Sequence, residues 1–160
     1  MPSQLPVAIA QVRTLNEENA YLFIDDDAGH FLSETVLTII ACTLMQSFLL
    51  GFIQEVNRQS AGLGSDLAKR LANGVKAATR AAADAVVARS TATTVTAEVQ
   101  KSADTAREAV ARQPDLEVDR YADVAEAALI TALRDQGYTL AAARRVAQGV
   151  RQCALAVIQQ

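Results

Sequence analysis

The chain has 160 residues, a length that suits one compact domain with a core of its own. Its formal net charge of -3 argues against a nucleic-acid binder, and Cys42 and Cys153 are too few for a disulfide scaffold or a metal knuckle. Aromatic residues make up only 4% while alanine is abundant, which favours helices packed closely through small side chains.

The first residues, MPSQLPVAIA, lack the basic start of a secretory signal and carry two prolines, so no cleaved targeting peptide is expected and the cytoplasm is the expected location. Pro6 to Thr14 and Ala20 to Ile24 are short apolar runs separated by Asn16-Glu17-Glu18-Asn19. That pattern permits a hairpin, an extended arm or two short helical turns. Residues 1–29 are accordingly read as an N-terminal arm or small hairpin, and residues 30–160 as a helical-bundle domain. Asp25-Asp26-Asp27-Ala28-Gly29 lacks the alternating oxygen ligands and distal acid of a calcium loop. Its acids suit the positive end of the helix that follows.

From Thr35 to Gln54 the chain runs twenty residues without a formal charge. With no proline nearby, a helix is predicted from about His30–Ser33 to about Arg58, roughly 40 Å long. Its weakly polar residues form two adjacent stripes: Thr35, Thr38, Cys42 and Gln46, then Thr43, Ser47, Gly51 and Gln54. Opposite them lie Leu37, Ala41, Leu44, Met45, Phe48 and Phe52, of which Leu37, Leu44, Met45, Phe48 and Phe52 are the candidate interaction residues. A helix apolar nearly all round is either a buried centre or a membrane span.

Ser60 to Ser65, with its two glycines, reads as a break, and Ser65 as the cap of a second helix extending to about Arg89. Leu63, Leu67, Leu71, Val75, Ala78, Ala82 and Val86 form its apolar stripe, and Lys69, Lys76 and Arg80 a basic face. Such a face is either solvated or laid on an anionic surface. The Gly-Leu-Gly-Ser loop follows no strand and lacks the Lys-Ser/Thr ending of a phosphate-binding loop, so helix breaking explains it. The Thr91 to Thr96 stretch is poor in helix formers, and the stripe after it (Ala92, Val95, Val99, Ser102, Ala106, Val110) is built from small residues. A helix of low independent stability, or with a mobile first turn, is expected there, ended by Pro114.

Asp115 to Gln136 restores a strong pattern with Leu116, Tyr121, Val124, Ala128, Leu129 and Ala132 on one side and acids on the other. Gly137 fits the left-handed stop of this helix and Thr139 the cap of the last one, which carries Leu140, Ala143, Ala147, Val150, Ala154 and Val157. The turn Asp135-Gln136-Gly137-Tyr138 between two helices resembles the Gly-aromatic turn of ubiquitin-associated-like three-helix modules, which implies a hydrophobic turn that contacts a partner. The likeness is confined to this pair and lacks the module's third helix. A glycine stop followed by a packed tyrosine accounts for the same residues.

Charge is segregated along the chain: -5 from Arg13 to Glu34, +3 from Ser65 to Arg89, -4 from Asp115 to Asp135, with Arg144, Arg145 and Arg151 unopposed at the end. Basic and acidic helices of this kind suit mutual attraction within one bundle. The whole reads as all-α, a bundle of about five helices around a long hydrophobic one.

Chemistry has little to build on. His30 is the only histidine, so a hydrolase would depend on it alone, and no catalytic or cofactor-binding residue is assigned. Asp27, His30 and Glu34 share one side if the helix starts early, but a charged helix start explains them and no metal is expected. Basic residues are not interleaved with aromatics, so stacking on bases has no support, and no small-molecule substrate is evident. The expected function is a non-enzymatic assembly or adaptor module acting through protein–protein, above all self, association. The alternative is a membrane-associating or pore-forming effector that inserts helix 35–54, with its acidic N-terminal and basic C-terminal flanks placing the C-terminal helices in the cytoplasm.

Overall fold

A computed structural model describes residues 5–19, 34–56, 63–81 and 84–159, and nearly all of these are helical. In chain order they are α1 (Leu5–Asn19), α2 (Glu34–Val56), α3 (Leu63–Ala81), α4 (Ala85–Arg112), α5 (Val118–Asp135) and α6 (Leu140–Ile158). The all-α expectation holds, and α2 is the axis: it packs against every one of the other five helices. Around it, α3 adjoins α5, α5 adjoins α6, and α6 adjoins α1.

Among the described residues there are six helices rather than about five, because residues 5–19 form a helix and no hairpin. Leu5, Ala8, Ile9, Val12 and Asn16 recur at steps of three and four and are buried, so one helical face runs straight through the polar interruption. Pro6 sits in the first turn, where its missing N–H has no intrahelical partner to lose. The predicted run Ala20 to Ile24 lies outside the described residues.

The second boundary that differs falls near residue 84. Instead of one helix reaching Arg89, α3 ends at Ala81 and α4 begins at Ala85, with Asp84 as its N-cap. Asp84 has extended backbone (φ -146°, ψ 122°), and its carboxylate accepts the Val86 N–H at 2.8 Å. The restart resets the helical phase. Val86, expected on the core stripe with Leu71 and Ala78, is 73% exposed, while those two are buried.

From there α4 continues without a break through the threonine-rich stretch. The hydroxyls of Thr93, Thr94 and Thr105 donate to carbonyls four residues back. Val99, Ser102, Ala103 and Ala106 are its buried residues in that half, all of them small. On α5 the core face is Ala122, Ala125, Leu129, Ala132 and Leu133, turned by about a residue from the expected one, which leaves Val124 exposed. The α5–α6 turn is as predicted: Gly137 has φ 99°, and Thr139 Oγ1 accepts the Ala142 N–H at 3.1 Å.

Candidate interaction site

The side chains singled out on α2 lie inside the chain's own bundle. Leu44, Met45, Phe48 and Phe52 are wholly buried and Leu37 is half-buried. Burial on this scale removes apolar surface from water on all sides of α2, the main term favouring the folded state. Of the neighbouring hydroxyl stripe Thr43 and Ser47 are buried and Thr38 is half-buried, and these three hydroxyls donate within the same helix. Thr38 Oγ1 donates to Glu34 O at 2.7 Å, Thr43 Oγ1 to Ile39 O at 2.8 Å, and Ser47 Oγ to Thr43 O at 2.8 Å.

With its donors so met, the stripe packs on the outer helices through small groups. A Cβ added to Gly74 of α3 would overlap the Thr43 side chain, so glycine is what allows the two helices to approach there. Cys42 Sγ lies 3.7 Å from Thr96 Oγ1 of α4. Burial pushes this thiol up to about 11, against a small lowering from Thr96.

The basic face is the reverse case. Lys69, Lys76 and Arg80 of α3 are exposed, and none takes part in an ion pair among the described residues. The acids of α5 are matched instead by α6: Arg151 bridges Asp119, Asp123 and Glu126. Those carboxylates hold the guanidinium above its ordinary pKa, the Asp123 hydrogen bond first among them.

Two further features, the partner of the packed tyrosine and Arg70, are not marked as motifs in the sequence pattern. Tyr138, in the turn that resembles a partner-contacting one, is only 3% exposed; its hydroxyl donates to Asn16 Oδ1 of α1 at 2.7 Å. The aromatic therefore ties the α5–α6 turn to α1 and is not presented outward. Nothing local marks a pair 122 residues apart. The other feature is Arg70, whose signal lay in its register: it stands in line with Gly74 and Ala77 on the inward side of α3, beside a basic face pointing elsewhere.

Arg70 lines a half-open cleft of about 480 Å³ between α3 and α4, floored by the polar stripe of α2. Gln46, Ser47 and Leu50 come from α2, Asn73 from α3, and Glu98 from α4. Arg70 Nη1 is buried and has no hydrogen-bond partner. A smaller cleft of about 300 Å³ lies on the other flank of α4, against Leu5, Ile9 and Arg13 of α1. On the outer side of α1 itself, Pro6, Val7, Ala10 and Leu15 form an open apolar groove.

No group of three or more His, Cys, Asp or Glu side chains is arranged to hold a metal among the described residues. The Asp27, His30, Glu34 arrangement lies outside them in two of its three members. No protein-family model, curated protein or solved structure matches the chain.

Proposed function

We propose that the protein is a non-enzymatic helical-bundle assembly or adaptor module of the cytoplasm, acting through protein–protein association, with a second copy of the chain as its first partner. The observation that carries this reading is the enclosure of α2 by the other five helices, which leaves recognition to the outer faces. Two of those faces suit association. One is the apolar groove of α1, where Val7 is 60% exposed. The other is the basic face of α3, which makes no ion pair among the described residues and for which the exposed Asp115 and Asp135 of another copy offer opposite charge. No catalytic step or cofactor enters this reading.

Light scattering on the full chain, purified without detergent, tests it. A discrete species larger than a monomer is expected, weakened by salt and by Lys69→Glu with Lys76→Glu, and by Val7→Asp. A monomer at every concentration contradicts it. The second reading is insertion of α2 into a membrane. Its support is that α2 has 23 residues, against the about 20 that a hydrocarbon core requires. It predicts dye release from liposomes, and a soluble species that releases none contradicts it.

A further inference from the structure

We propose that the cleft between α3 and α4 is a binding site for a small zwitterionic carboxylate of amino-acid type, its carboxylate on Arg70 and its ammonium on Glu98. The first ground is the unmet donor. Arg70 lines the cleft with a guanidinium, a group built to grip a carboxylate, and its Nη1, which has no surface open to solvent, lacks a partner although buried polar groups are almost always hydrogen-bonded. The second is the cavity, whose volume of about 480 Å³ lies in the range of small-molecule sites and is open at one side for entry.

The third ground is the sorting of the lining. Arg70 and Glu98 are the two charged groups in it, and neither is ion-paired among the described residues, so the cleft offers one cationic and one anionic group. A simple anion would meet Glu98 unfavourably and a simple cation Arg70; a molecule carrying both charges suits both. Ser47 has committed its proton to Thr43 O, so its free capacity is as an acceptor, whereas the amides of Gln46 and Asn73 can still donate. Leu50 and Val95 leave room for an apolar side chain on the ligand. This site is independent of the association reading: a monomer by light scattering would leave it standing, and a cleft that binds nothing would leave association standing.

The test is a titration of the isotope-labelled full chain, followed by backbone amide shifts, with L-leucine, L-leucinamide and isocaproate. L-leucine is expected to shift Asn73, Gly74 and Glu98 saturably, with a Kd on the order of 1 mM. Leucinamide, which lacks the carboxylate, and isocaproate, which lacks the ammonium, should each bind at least about tenfold more weakly. Arg70→Gln should abolish the shifts. Should that variant fold poorly, Glu98→Gln at the exposed rim remains informative: it should weaken L-leucine to the level of isocaproate. No saturable shift with L-leucine, or equal binding of L-leucine and leucinamide, would overturn the proposal.

Discussion

The two flanks of the bundle solve the same packing problem differently, and two arginines mark the contrast. Where α5 meets α6, Arg151 is shared by three carboxylates, and the turn between the helices is pinned to α1 by Tyr138 and Asn16. Where α3 and α4 meet α2, Arg70 faces a cleft with a buried N–H unmet. The difference follows from side-chain size. Leu129 and Leu133 let α5 fill the space against its neighbours, whereas α4 presents Val, Ala, Ser and Thr and leaves a cleft on each flank. The lesson is that close approach of backbones and complete filling are separate achievements: Gly74 brings α3 onto Thr43 while the space beside it stays open.

That contrast can be broken at its strong side first. Leu133→Ala, at a fully buried position on α5, should cost about 2–5 kcal/mol in chemical denaturation. Val99→Ala on α4, equally buried but smaller, should cost less than Leu133→Ala in the same experiment.

The two close-approach glycines separate by what an added methyl would strike. At Gly74 it meets the Cγ2, Oγ1 and Cβ of Thr43, a short and stiff side chain, so Gly74→Ala should destabilise by about 1–3 kcal/mol, with partial recovery on adding Thr43→Ser. At Gly149 it meets the far end of Leu15, which can swing away, so Gly149→Ala should cost under about 1 kcal/mol. Equal costs would show that α3 is not held tightly against α2.

Tyr138→Phe removes the donor to a buried Asn16 and should cost about 1–3 kcal/mol, read as a lower denaturation midpoint. Arg151→Met should cost roughly 1 kcal/mol, because two of the three carboxylates it leaves, Asp119 and Asp123, are largely solvated and screened, while Glu126 is the one left half-buried. Arg70→Met should be neutral or stabilising, since it removes an unmet buried donor. A large loss at Arg70 would mean that its guanidinium has a structural partner.

The smallest effect is on alkaline pH. Folded Cys42 holds its proton up to about 11, against an ordinary 9.0, so above that ordinary value the unfolded chain ionises first. This contribution is fully present below about pH 9 and is lost as pH rises towards 11. Burial raises Tyr138 in the same direction. Cys42→Ala should flatten the fall in stability over that window, measured by denaturation at several pH values.

Much of this fold was legible as periodicity. The uncharged run of α2, the Gly137 stop, the Thr139 cap and the α6 stripe Ala143, Ala147, Val150, Ala154 and Val157 are local patterns, and local physics produces them. What was not legible depends on competition or distance. Asp84 read as one acid in a basic segment, and only as an N-cap does it explain why Val86 faces water. The run of α1 was cut by Glu17-Glu18, although both simply occupy its exposed face. The cleft around Arg70 joins three helices, and no spacing along the chain encodes the gap between them.

The central claim is that α2 is enclosed by its own chain, and native-state hydrogen exchange in detergent-free buffer tests it most directly. The backbone amides of Ala41 to Phe52 should exchange only through global unfolding, at a rate unchanged by anionic liposomes. Exchange of that stretch by local opening, or a change in its protection when liposomes are added, would contradict the claim.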